Sequence, residues 1–355
     1  MVSMWRRLLG SRDKAANRAR RIPAAKPVRA TTAAPVAAPT VAPADLLPVV
    51  STTQIRARFL QYVFGLPDSE SQLPSTFELT TLKRLELLSI RFDMRSLPRL
   101  PTVLPQLMRL LKNDNAAGRQ WARLVGRDPL MVGEVMRVTR SASYRSAQPI
   151  RSLQHAVILL GQEGLRRVVT QHVMKPILQS SAGRLSQLAG ERLWEHSERC
   201  AHACAWLGKH SGCDAFEAYL AGIVSHAGTG AVVRLLDQLM PEAMVPLSTD
   251  FLAGCAELAA RLSVQAAQYW ELPANVIEAL TARQLADQPD DGQPLATVLA
   301  CADVLAMAQL LGEHDLLAAD LDLRHAWPDA YAASLLARCQ QDLRRQFAGD
   351  HGSAT

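Results

Sequence analysis

Beyond residue 51, apolar positions along this chain recur every three to four residues, the spacing of amphipathic helices. Two stretches come first, at 52–64 and 76–92. In the second, Phe77, Leu82, Leu85, Leu88 and Ile90 lie near a 3.6-residue period. "GLPDSESQLPS", with two prolines, breaks the two apart. "PTVLPQLMRLLKND" predicts a helix, and "NAAGRQWARLVGRD" predicts another that ends before Pro129. Pro129 then stands at a first helical position of "PLMVGEVMRVTRSAS". "SLQHAVILLG" starts at a capping Ser152 and stops at Gly161, and "QEGLRRVVTQHVMKPIL" follows. Longer amphipathic helices are expected near 188–210, 214–225, 229–240, 250–270, 273–286, 295–312 and 331–347. No alternating strand pattern and no Asn-Gly hairpin signal occurs. The expected fold class is all-α, with two helical layers on a shared core.

The pattern fails only at the start. Residues 23–48 are Pro-, Ala-, Val- and Thr-rich, with prolines at 23, 27, 35, 39, 43 and 48 that deny the backbone regular helix bonds. This predicts a disordered linker. Residues 1–30 carry nine Lys/Arg against Asp13 alone, a net +8. The whole chain is +6, so the remaining 325 residues are slightly acidic. The basicity therefore belongs to an arm, and no specific nucleic-acid binding is expected of the folded part. Trp5, Leu8 and Leu9 give that arm an apolar edge, which fits an acidic partner or a membrane surface.

No uninterrupted run of 18 apolar residues and no secretory-type apolar segment near the start appears. The six cysteines include no C-x-x-C pair and sit inside apolar helical runs. They are expected to be reduced core residues of a cytoplasmic protein. His196, Cys200 and Cys204 repeat every four residues on one helix face. Their ends are about 12 Å apart along the axis, too far for one ion. Trp121, Trp194 and Trp270 fall in apolar helical patterns and are expected in the core.

Candidate chemistry enters with a series of motifs. "LPRLPTVLPQLMRLLKND", "GRDPLMVGEVMRVTRSASY", "PIRSLQHAVILLGQEGLRRVV", "LWEHSERCAHACAWLG", "AYLAGIVSHAGTGAVV", "YWELPANVIEAL" and "VLACADVLA" follow one another over roughly 97–312. In this order they resemble the segments of HDOD domains. The resemblance implies a two-subdomain helical fold related to the HD metal phosphohydrolases. It also implies a bacterial regulatory protein, usually without catalysis, in signalling that often runs alongside cyclic-di-GMP. The expected organisation is a basic, Pro/Ala-rich tail and linker at 1–50, a helical extension at 51–96, the HDOD-like domain at 97–312, and a C-terminal helix and tail at 313–355.

By that resemblance, the metal-binding His, His-Asp pair and later Asp of active HD enzymes match His196, His226–Ala227 and Asp303. The carboxylate of the pair is absent. Arg140 stands where the family has Asn, Ala259 lies near a further family His, and "TARQ" (281–284) stands where a His-His pair would fall. Two His and one carboxylate still make a mononuclear metal pattern, so a single divalent metal is compatible with what is left. The turn Gly228–Thr229–Gly230 could offer N–H groups to a phosphate at a helix start, but it brings no cation. Arg140, Arg145, Arg166 and Arg167 form a candidate basic patch for an acidic partner. The expectation is a non-catalytic signalling protein that needs no cofactor and acts through protein interaction. The alternative is a residual metal-dependent phosphohydrolase acting on a nucleotide or cyclic dinucleotide.

Overall fold

The computed structural model describes residues 51–65, 73–90, 118–126, 128–139, 150, 152–179, 183–240, 247–285, 293–318, 331 and 333–348. The expected arm at 1–50, the helix expected in 101–114, and Arg140 and Arg145 lie outside the described residues. Within them the chain is all-α, with no strand. The helices are α1 Thr52–Phe64, α2 Thr76–Ile90, α3 Gly118–Val125, α4 Pro129–Thr139, α5 Leu153–Leu178 and α6 Arg184–His210. They continue with α7 Ala215–Val224, α8 Ala227–Leu239, α9 Thr249–Tyr269, α10 Ala274–Leu285, α11 Pro294–Glu313 and α12 Ala333–Phe347.

Local chemistry explains where they begin and end. Ser51 accepts from the Gln54 N–H while the Gln54 side chain accepts from the Ser51 N–H, a reciprocal cap for α1. Gly65 closes the same helix in the left-handed conformation. Asp128 accepts from the N–H groups of Leu130 and Met131, so the Asp-Pro pair both caps and starts α4. Ser152, Asp214 and Ser248 cap α5, α7 and α9. Gly161 breaks α5 as expected: its φ of 64° and ψ of −176° divide the element into two helical stretches.

The helices form two groups. In the first, α3 and α4 pack on α5. In the second, α6 is the central rod, contacting α1, α7, α8, α11 and α12, while α9 packs on α8 and α10. The long α5 also touches α6, α7 and α8, and one hydrophobic core runs through both groups. Trp121, Trp194 and Trp270 are all buried in it, as expected. So are Cys200, Cys204, Cys255, Cys301 and Cys339, and none of the six cysteines is paired. Two segments, Ala215–Leu239 and Pro294–Glu313, are long and apolar enough to cross a membrane by composition. Both are mostly buried inside the fold, which is how core helices behave.

The α8–α9 contact is unusually close. A Cβ on Gly228 would collide with the Ala259 carbonyl oxygen and the Ser263 backbone nitrogen. Gly228 N–H donates to Ser263 Oγ (2.9 Å), and Ser263 Oγ–H donates to the Ser225 carbonyl (3.0 Å). This pins the joint between α7 and α8, and the residue at that joint is His226.

Candidate functional site

Two helices and one helix joint bring together the donors expected from the sequence. His196 comes from the middle of α6, His226 from the cap of α8, and Asp303 from the middle of α11. One ligand atom from each lies within 4.8 Å of the others. His226 Nε2 is 2.9 Å from Asp303 Oδ1, and His196 Nε2 is 3.3 Å from the same oxygen and 3.3 Å from the Asp303 carbonyl. The two imidazoles meet edge to face, with centroids 4.5 Å apart. His196 and Asp303 are fully buried and His226 is almost so.

Two residues that the sequence did not nominate complete the cluster. Arg283, in the last turn of α10, puts Nη2 2.8 Å from Asp303 Oδ2 and 3.1 Å from His226 Nε2. Its Nη1 donates to the Ser225 carbonyl at 3.3 Å. Phe59, from α1, lies over both imidazoles, with ring centroids 4.6 Å from His196 and 5.6 Å from His226. Arg283 was visible in the sequence only as part of "TARQ", where family histidines are missing. Phe59 stood in a helix that carried no motif.

The electrostatics follow from burial and from Arg283. Burial alone would raise the Asp303 carboxyl. The guanidinium, with His226 and the hydrogen bond from His196, outweighs it and holds the group well below the usual carboxylate range. Burial pushes His226 down to about 3; Asp303 opposes that, while His196 and Arg283 add to it. His226 is therefore a neutral imidazole. Its Nε2–H donates to Asp303, and its Nδ1 accepts from the Thr229 hydroxyl at 3.1 Å. The Arg283–His226 approach is then two N–H groups converging on one carboxylate. Asp303 Oδ2 and Arg283 Nη2 are close in charge but poorly aligned as a hydrogen bond, and among the described residues Oδ2 has no aligned donor.

Does this cluster fit a divalent metal? By donor type and spacing it does, since two imidazoles and a carboxylate converge. By charge it does not. A guanidinium stays protonated and has no lone pair to offer, yet it already touches two of the three donors. Ala227, the other half of the expected pair, is buried at the start of α8 and brings no carboxylate. The cluster as it stands is closed and charge-paired.

The remaining nominations lie elsewhere. Gly228 and Thr229 are buried. The Gly228 N–H is spent on Ser263, and the Thr229 hydroxyl on His226. Cys200 and Cys204 continue the His196 face into the core, and burial raises the Cys204 thiol well above its ordinary value. Arg166 and Arg167 lie on α5 with their guanidinium carbons 5.3 Å and 5.5 Å from the ring centroids of Phe216 and Tyr219 on α7. Arg166 also pairs with Glu163 at 3.1 Å. Both cations therefore help pack α5 on α7, a role the sequence did not suggest.

The comparisons with known proteins agree with this architecture. The family model for the HDOD domain matches residues 97–285, and the chain belongs to that family. His196, His226 and Arg283 fall inside the match, whereas Asp303 and Phe59 fall outside it. A crystallised HDOD domain protein of unknown function from Geobacter sulfurreducens has the same fold. It superposes with a TM-score of 0.51 at 19% identity, covering 76% of this chain and 90% of the other. A Marinobacter aquaeolei VT8 structure, provisionally named a signal transduction protein, gives a TM-score of 0.51 at 15% identity. That match covers 84% of this chain and 65% of the other. A Treponema pallidum (strain Nichols) protein, named only as uncharacterized, is 24% identical over 252 residues. The match takes in 66% of this chain and 47% of that relative, so the chain spans about half its length.

Proposed function

We propose that this chain is a non-catalytic signalling protein whose HDOD domain acts by binding another protein. The observation that carries the reading is the closed cluster itself. Asp303 and His196 are fully buried, Phe59 covers both imidazoles, and buried Ala227 leaves the His-Asp pair without its carboxylate. Metal-assisted hydrolysis needs a bound ion with an open position for water and substrate, and nothing in this arrangement supplies one. The Marinobacter relative's name is consistent with signalling. A cytoplasmic partner from the cyclic-di-GMP network is the class to which the family resemblance points.

The test has two arms. The full chain is incubated with Mn²⁺ and a panel of nucleotides and cyclic dinucleotides, beside His226→Ala. The expected result is no turnover in either. Turnover lost in His226→Ala would establish the phosphohydrolase reading in its place. The immobilised full chain is then used to capture proteins from its own host. A saturable partner belonging to a signalling pathway is expected, and its absence would remove the interaction reading.

A further inference from the structure

We infer that Arg283 is the resident cation of this site, its guanidinium standing where a divalent metal would otherwise stand. The inference deepens the non-catalytic reading and rests on the same buried cluster.

The argument begins with charge. Asp303 has no exposure, and a buried carboxylate is tolerated only when something positive or strongly donating faces it. His226 supplies a donor to one carboxylate oxygen at 2.9 Å. His196 supplies a second donor to the same oxygen. The positive charge comes from Arg283, on the other carboxylate oxygen at 2.8 Å. Arg283 is not reaching in from free solvent: its side chain is only 17% exposed, and its Nη1 is anchored on the Ser225 carbonyl beside the α7–α8 joint.

The second step is exclusion. An ion shared by His226 and Asp303 must bond to His226 Nε2, the atom that already has Arg283 Nη2 3.1 Å away. Nε2 must also give up its proton to become a ligand. A metal and this guanidinium are like charges competing for the same carboxylate, in surroundings that screen poorly. Only one of them can be there.

The third step links two departures that looked independent in the sequence. A His, a His-Asp pair and an Asp present two carboxylates, which balance a divalent ion. Here Ala227 removes one negative charge, and Arg283 replaces two positive charges by one. One carboxylate and one guanidinium again sum to zero. Positions 227 and 283 are thus a compensating pair, and restoring the acid at 227 alone does not recreate a metal site while Arg283 stays.

The test counts metal and needs no enzymatic assay. Full-length wild type, Arg283→Gln, Arg283→Lys, Ala227→Asp and Ala227→Asp/Arg283→Gln are each offered Mn²⁺ or Zn²⁺, dialysed and assayed for bound ions. Wild type, Arg283→Lys and Ala227→Asp are expected to hold none. Arg283→Gln is expected to hold about one ion per chain, and adding His226→Ala is expected to remove it. The double variant should bind at least as well. The Tm of Arg283→Gln should rise by at least about 4 °C at a hundredfold excess of metal over Kd, while wild type stays unmoved. Wild type holding one ion that His226→Ala removes would overturn the inference, as would a folded Arg283→Gln that binds none. If Arg283→Gln does not fold without metal, Arg283→Gln/Asp303→Asn removes both charges and should fold better than the single variant. Equal instability of the two would also overturn it. Failure here leaves the turnover screen to judge the non-catalytic reading separately.

Discussion

Helices α1 and α2 are neighbours in the chain, and both precede the residues that match the family, yet they use their apolar residues in opposite ways. In α1, Ile55, Phe59, Leu60, Tyr62, Val63 and Phe64 are buried. In α2 the buried positions are Glu78, Thr81, Leu85 and Ser89, while Phe77 is 55%, Leu87 64% and Ile90 80% exposed. Periodicity identified two helices and said nothing of this difference. What separates them is the surface each one meets. The first lies on α6, α9 and α11, where its Phe59 ring packs against two buried imidazoles. Tyr62 adds a hydrogen bond to His314 at 2.8 Å, and Arg192 stacks on the Tyr62 ring and donates to its carbonyl. The second meets the start of α9, where the unbonded N–H groups of a helix terminus call for an acceptor. Glu78 provides it, taking the Ser248 N–H at 2.7 Å and the Ser75 N–H at 2.6 Å.

The largest effect should come from Phe59→Ala. It removes a fully buried ring over the histidine cluster, so unfolding free energy should fall by about 3–5 kcal/mol. Urea melts of the full chain measure this directly. A loss no larger than that of a surface substitution would mean that α1 does not dock as described.

The two helices also predict different acid sensitivities. Under α1, His226 faces Asp303, His196 and Arg283, and burial holds its pKa near about 3, well below the ordinary value of 6.5. The unfolded chain therefore binds more protons between those two values, and stability falls as pH drops through that window. The slope is at most about 1.4 kcal/mol per pH unit. Melts from pH 7 to pH 4 should show it in wild type and lose most of it in His226→Gln. Under α2, burial alone would raise Glu78, but the Ser248 and Ser75 N–H groups outweigh it and hold the carboxyl below its ordinary 4.5. That stability is present above the unfolded value and is lost only as pH falls below it. Equal acid profiles for His226→Gln and wild type would show that the histidine is not sealed.

These cases also show what the sequence could carry. The all-α class and most helix bounds were legible because caps, breakers and apolar spacing are local. Ser152 and Gly161 delimit their helical stretch much as their chemistry demands. His196, His226 and Asp303 were legible because motif order places them at one site. Arg283 was not, because a missing histidine says nothing of what its replacement will touch. Phe59 was not, because its partners lie more than 130 positions away in the chain. The apolar pattern of α2 misled, since Phe77, Leu88 and Ile90 keep the helical period while the surface beneath the helix favours Glu78, Thr81 and Ser89.

A smaller effect is expected at Glu78. Gln keeps one acceptor oxygen and loses the charge, so Glu78→Gln should cost about 1.5 kcal/mol, the low end for hydrogen bonds to an ionised group. The cost should shrink as pH falls below the ordinary carboxyl value of 4.5, because the unfolded chain then takes up a proton that the folded carboxylate resists. A pH-independent cost would show that shape, and not charge, ties α2 to α9.

The smallest effect tests the other side of α2. Leu87 is 64% exposed and near the helix end, and Leu and Gln have similar helix propensities. If solvent is what Leu87 meets, Leu87→Gln should change unfolding free energy by no more than about 0.5 kcal/mol. The measurement is a pair of urea melts at protein concentrations a hundredfold apart. Identical small shifts at both would confirm that α2 holds its place through its buried side, Glu78 and Leu85 among it. A loss above about 1 kcal/mol that grows with concentration would show a second copy covering the apolar side, since association stabilises by mass action. In that case α2 would bury apolar surface as α1 does, between chains instead of within one, and the contrast between the two helices would become one of partner, not of packing rule.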